Sequence, residues 1–307
     1  MCKIPYKKIS KQTYTRQSNP MVLKHSLLSA FFLFIFLACS CFESSSLNAF
    51  HAEVLPQEIN QGDAFIIKVT DMPASSPPPV ADFSGKSLYF SSCGDACSIA
   101  LGAIEMKTKP GTYTMDISVG KQKKTLTFTV NPTNFPTLNL TLPDDKVFLS
   151  PENLKRVEEE NKKLQSIFQI VSEKQWDGRF ILPLVNNFST VFGTKRIMNK
   201  KRESIHRGLD IRGNMGEKVT ASNHGRVVLT EELFFGGNTV IIDHGQGIYT
   251  IYMHLSEFKV HPEQIISKGN TIGLVGASGR ATGPHLHFGV KVFNVNTNPV
   301  SIIGLNL

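Results

Sequence analysis

The chain has no H-E-x-x-H motif, no internal repeat of 20 to 50 residues and no apolar run long enough to cross a bilayer as a helix. The first absence excludes the helical zinc proteases built on that motif, and the second excludes solenoids. The run that comes nearest to a membrane span, Leu27 to Ala38, is twelve residues. That length suits the core of a signal peptide and is short for a span. Cysteine is scarce too, with five in 307 residues. Cys2, Cys39 and Cys41 lie in or beside the N-terminal segment, so only Cys93 and Cys97 remain for the body. Two thiols without further ligands nearby do not make a structural zinc site; in an oxidising compartment the expectation is a small disulfide loop around Gly94-Asp95-Ala96, with free thiols as the alternative.

Strong global charge is missing as well. The formal charge is +8, but six lysines and arginines against one glutamate give residues 1–49 a balance of +5 and leave +3 for everything else. The body is mildly basic, and its basic residues are not interleaved with aromatics, so nucleic acid is not an expected partner. Residues 1–49 read as a targeting segment, whether a signal peptide or a membrane or lipid anchor. Export to the periplasm or cell envelope is the expectation for the remainder. With 41% hydrophobic and 19% charged residues, the remainder has a globular composition and enough length for about two domains.

The expected fold class is mainly β. Residues 53–131 alternate apolar and polar positions over Ala64–Val69, Ser87–Phe90, Thr112–Val119 and Lys124–Val130, with turn residues between them. This pattern predicts an immunoglobulin-like β-sandwich. Residues 132–179 form a connector with one helix over about 151–172. Ser150 is its N-cap and Pro151 its first position, and Leu154, Val157, Leu164, Ile167, Phe168 and Val171 recur at helical spacing. The helix is expected to pack between the domains. From residue 180 to 307 the pattern returns to strands separated by glycine turns, almost without helix. The basic run Lys195 to Arg202 reads either as a solvated loop or as an attraction for an acidic cell-wall polymer.

This second β-domain carries the chemistry. In Gly283-Pro284-His285-Leu286-His287-Phe288, strand alternation points His285 and His287 the same way. In His206-Arg207-Gly208-Leu209-Asp210, even spacing puts His206 and Asp210 on one strand face, and Gly208 argues against a helix interior. Two imidazoles and a carboxylate leave a fourth tetrahedral position for water, the catalytic form of a zinc site. Spacing leaves open which of His285 and His287 is the ligand. His254, at the end of an apolar strand, is the fifth candidate. His224, His244 and His261 lie beside glycine or proline and read as turn or structural residues.

Read together with Phe192-Gly193, Ile242-Asp243-His244-Gly245, Tyr252-Met253-His254-Leu255 and Thr282-Gly283-Pro284-His285-Leu286-His287, these motifs make Phe180 to Asn298 resemble the lysostaphin-type (LytM-like) zinc metallo-endopeptidases. The resemblance covers about two fifths of the chain. It implies a C-terminal antiparallel β catalytic domain with its site in a groove between loops. It also implies one zinc ion held by His206, Asp210 and His287, with His254 and His285 as catalytic residues beside it. Zinc so bound lowers the pKa of water from about 16 towards about 7. One of His254 and His285 then accepts the water proton, and the other stabilises the oxyanion. The implied substrate is the peptide part of bacterial peptidoglycan, with cell-envelope regulators and membrane attachment through residues 1–49 as further partners. Two other readings were weighed. A catalytically inactive LytM-like activator of other wall hydrolases typically lacks metal ligands, whereas every expected position is filled here. A lipoyl-type carrier shares the hairpin Lys268 to Gly273, but no Met-Lys-Met or Asp-Lys-Ala acceptor is present.

Overall fold

A computed structural model of the chain describes residues 49–141 and 148–307. The expected targeting segment, with Cys2, Cys39, Cys41 and the run Leu27 to Ala38, lies outside the described residues. Residues 46–307 form one compact unit. No helix among the described residues is long and apolar enough to cross a membrane.

The N-terminal part of this unit is a sandwich of two sheets. One has the strand order His51–Leu55, Ala64–Thr70, Cys97–Ala103 and Ser91–Gly94. The other runs Glu58–Asn60, Gln122–Asn131, Gly111–Val119, Val80–Phe83 and Lys86–Ser87. Between them Phe65, Phe83 and Phe128 meet with ring centroids 5.5 to 5.9 Å apart. Burying such rings is the largest apolar contribution a small sandwich can make. Cys93 and Cys97 form the expected disulfide. The sequence pattern predicts a strand over Ser87–Phe90, whereas only Ser87 of it is paired, in Lys86–Ser87, and the next strand is Ser91–Gly94. It also passed over Cys97–Ala103, whose apolar run lacks polar alternation because both faces are buried: Ala100 faces the sandwich core, while Ile99 and Leu101 face the other way.

The helix spans Pro151–Phe168, and the Ser150 side chain accepts a hydrogen bond from the Asn153 N–H at 3.2 Å. Phe168 and Val157 are its buried residues. It lies on one face of the C-terminal sheet, where Phe168 meets Tyr249 edge-on at 5.3 Å and Tyr249 Oη donates to the Ile167 and Ile170 carbonyls.

That sheet is antiparallel, in the order Phe188–Thr190, Gly208–Arg212, His285–Val292, Ile248–Phe258, Gly237–Asp243, Gly225–Leu233 and Ile265–Ile266. Thr271–Val275 pairs with both Lys218–Thr220 and Ile248–Phe258. A six-residue helix, Pro299–Gly304, follows the last strand, in a segment for which the sequence pattern assigns no element. The basic run is not a free loop: Lys195–Met198 and Arg202–Ile205 are paired strands, and Thr137–Leu140 of the connector adds to Lys195–Met198 in parallel.

Candidate metal centre

Two neighbouring strands set the centre. Gly208–Arg212 and His285–Val292 pair in a register that puts Asp210 directly across from His287 and Arg212 across from His285. Cross-strand partners lie within side-chain reach, so this register alone brings a carboxylate to an imidazole. His206 is not on the same strand as Asp210, as the even spacing had suggested. It stands in the link between Arg202–Ile205 and Gly208–Arg212, pinned by its N–H to the Thr194 carbonyl at 2.9 Å. Gly208 allows the close approach of the two strands, because a Cβ there would stand 2.5 Å from the Phe288 carbonyl oxygen and 2.6 Å from Nε2 of His287.

One ligand atom from each of His206, Asp210 and His287 falls within 4.8 Å of the others. Nε2 of His206 is 2.8 Å from Oδ1 of Asp210 and 3.0 Å from Nδ1 of His287, and Nδ1 of His287 is 2.8 Å from the same Oδ1. Nδ1 of His206 is 3.0 Å from the Val191 carbonyl. Donation to that oxygen turns Nε2 towards the Asp210 carboxylate and His287, so that two imidazole nitrogens and a carboxylate oxygen converge. The donor set therefore fits a divalent metal, with the Val191 carbonyl in the supporting role that fixes a ligand imidazole. Burial on its own raises the Asp210 pKa, but the hydrogen bonds and charges of His206 and His287 outweigh it and hold the carboxyl well below its usual range. Burial lowers the His287 pKa, keeping that ring in the neutral form a ligand needs.

Oδ2 of Asp210 is not free: Arg196 reaches it at 3.2 Å from the first strand of the basic hairpin. Sequence reasoning missed this residue. Its signal was the basic run itself, which places a fixed cation beside the Asp210 carboxylate.

His254 and His285 complete the cluster, with ring centroids 4.8 Å apart. His254 lies inside its strand at φ 65°, not at its end. There the strand changes partner, from Met253 opposite His287 to Leu255 opposite Val275. This irregularity re-aims the side chain towards the site, as bulges do. Nδ1 of His254 is 2.9 Å from the Ser278 carbonyl, and Nδ1 of His285 is 2.9 Å from the Gly283 carbonyl. In both rings, donation there leaves Nε2 for the site, and Nε2 of His285 is 3.9 Å from Oδ1 of Asp210. Burial pushes the His254 pKa down to about 4, so this ring is neutral near pH 7.

Among the described residues, His244 and His261 stand apart from this cluster. His244 is fully buried between the His224 carbonyl and the Thr250 hydroxyl, and His261 is exposed and turns onto the Pro262 carbonyl.

An antiparallel β domain with a His–Asp–His donor set and two further imidazoles beside it defines the class, a metallopeptidase-type β domain. Residues 204–300 match the model of peptidase family M23, and the chain carries an M23 (LytM/lysostaphin-like) domain. Over 107 residues, 35% of this chain and 24% of the relative, it is 40% identical to the peptidoglycan DD-endopeptidase ShyA of Vibrio cholerae. Over 135 residues, 44% of this chain and 31% of the relative, it is 36% identical to the DD-carboxypeptidase/endopeptidase Mpg of Neisseria meningitidis. The matched segments thus span only 24% and 31% of these relatives' lengths. The crystal structure of a Pseudomonas aeruginosa protein assigned to M23 superposes with a TM-score of 0.62 and 28% identity, covering 80% of this chain and 94% of that one. Since 80% far exceeds the M23 segment, this likeness includes much of what precedes the metal domain.

Proposed function

We propose that the chain is an exported zinc metallo-endopeptidase that hydrolyses peptide cross-links or stem peptides of bacterial peptidoglycan. The observation that carries this reading is the convergence of His206, Asp210 and His287 on one point with His254 and His285 beside it. The similarity to ShyA, a peptidoglycan DD-endopeptidase, and to Mpg, a DD-carboxypeptidase/endopeptidase, supports the substrate class. Export is supported by the basic residues and the run Leu27 to Ala38 in the sequence, and with it a location in the periplasm or cell envelope.

Zinc bound by His206, Asp210 and His287 supplies Lewis-acid polarisation of a carbonyl and a more acidic water. The chain's own residues do the rest. His254, neutral and anchored through Nδ1 to Ser278, presents the Nε2 lone pair that accepts the water proton. His285, anchored to Gly283 and with 18% of its side chain exposed, presents its own Nε2 to the site, where it would contact the developing oxyanion. Arg196 keeps Asp210 from rotating out of the cluster.

The test measures zinc content and release of cross-linked muropeptides for the wild-type protein, His287→Ala and His254→Ala. We expect one zinc per wild-type chain, loss of both zinc and activity in His287→Ala, and retained zinc with activity down at least about 100-fold in His254→Ala. Wild-type protein that binds no zinc and leaves peptidoglycan intact would remove the proposal.

A further inference from the structure

The helix Pro151–Phe168 and the face of the sheet that bears the metal centre enclose a cleft of about 390 Å³, within the range of small-ligand sites. It opens beside His287, and its walls are largely apolar, formed among others by Leu164, Phe168, Leu233 and Ile251. Two cations, Arg207 and Lys291, also line it. Lys291 lies four residues beyond His287 on the same strand, so both side chains point to this face.

Neither cation has a carboxylate partner among the described residues. Nζ of Lys291 rests 4.8 Å above the Phe168 ring and bonds the carbonyl and side-chain oxygens of Asn294 at 3.3 and 3.1 Å. Glu160, the acid lining the cleft, is already engaged: its carboxylate accepts from Arg156 at 2.8 Å and from the Phe234 N–H at 3.0 Å. Burial, and then the charges of Arg207 and Lys86, push the Lys291 pKa down to about 8, the behaviour of a cation without a counter-ion. Lys291 is half-buried and Arg207 exposed, and a cation partly withdrawn from water beside an apolar cleft is stabilised when an anion completes it.

We propose that this cleft is a substrate subsite in which Lys291 and Arg207 bind a free carboxylate of an anionic peptide while the apolar walls take its aliphatic portion. The inference rests on the peptidase reading above and narrows it to substrates that carry a carboxylate away from the scissile amide.

The experiment uses the full-length protein in non-ionic detergent and muropeptide dimers in three forms: native, amidated at the chain end only, and amidated at every carboxylate. Binding is measured by calorimetry on zinc-stripped protein, where no turnover occurs, and KM and kcat are measured on the zinc-loaded protein. We expect wild-type protein to bind the native dimer about tenfold more tightly than the fully amidated one, a ratio matching one charge-assisted contact. Lys291→Met and Arg207→Gln should bring that ratio towards one and raise KM about tenfold, with kcat within about twofold. Lys291→Arg should restore discrimination, which separates loss of charge from misfolding. The chain-end amide distinguishes a terminal carboxylate from a side-chain one. Equal binding of native and fully amidated dimers by wild-type protein, or an unchanged ratio in Lys291→Met, overturns the subsite. If wild-type protein discriminates but hydrolyses neither dimer when zinc-loaded, the subsite stands and the peptidase reading fails.

Discussion

His244 sits in the interior with no accessible surface, its Nδ1 2.6 Å from the His224 carbonyl and its Nε2 2.7 Å from the Thr250 hydroxyl, which in turn bonds the Tyr252 hydroxyl. Burial, offset only in part by the bond to His224, lowers its pKa from 6.5 to about 4. Below pH 6.5 the unfolded chain gains a proton that the folded chain does not take up until about pH 4. The stability His244 contributes is therefore whole above pH 6.5 and is lost as pH falls towards 4. The loss amounts to about 3 kcal/mol over the whole window. Urea denaturation at pH 7 and pH 4.5 should show most of this difference in the wild-type protein and a smaller one in His244→Gln. An undiminished difference in the variant would assign the pH dependence to other groups.

At the scale of elements, the helix Pro151–Phe168 gains its place from a short list of contacts. Phe168 packs on Tyr249, Lys163 pairs with Glu231 at 2.8 Å, and Arg156 donates to the Glu232 carbonyl at 3.0 Å. The ion pair is exposed and adds little, so the aromatic contact dominates. Phe168→Ala should cost about 3 to 5 kcal/mol, as truncation of a buried ring does, and should speed hydrogen exchange in residues 151–168 ahead of the sheet beneath. Unchanged exchange would mean that the helix is held elsewhere. This helix was legible because its signals are local: Ser150, Pro151 and the apolar spacing need no knowledge of the partner face. The H-x-H strand was legible for the same reason, since alternation is intrinsic to a strand. What occupies the helix's face was not legible, and neither was the hairpin Lys195–Ile205, whose pairing with Thr137–Leu140 bridges the connector and the metal domain. Arg196 reads as one basic residue among several until that pairing brings it to Asp210.

At the scale of the molecule, the strand Ala64–Thr70 joins two cores. Phe65, Ile67 and Val69 face the sandwich interior, while Ala64 and Ile66 belong to the core that also holds Leu209, Phe288 and Trp176. Its continuous apolar stretch, Ala64-Phe65-Ile66-Ile67, now has a reason, because a strand buried on both faces has no polar side to show. Polar ties lie alongside: the Ala64 N–H donates to Ser301 at 2.9 Å, and the Asn298 side chain donates to Asp63 at 2.8 Å. A sandwich joined to the metal domain in this way should unfold with it. Trp176, the single tryptophan of the chain, lies in the shared core and reports on the metal-domain side. Phe65→Ala removes a ring that faces only the sandwich and should cost about 3 to 5 kcal/mol. If the two parts form one cooperative unit, the Trp176 fluorescence midpoint in urea falls together with the far-ultraviolet circular dichroism midpoint, by the same free energy. If Trp176 keeps its wild-type midpoint while the circular dichroism splits into two steps, the shared core does not couple the two parts. The sandwich is then a tethered module, and its contacts with the metal domain carry no folding energy.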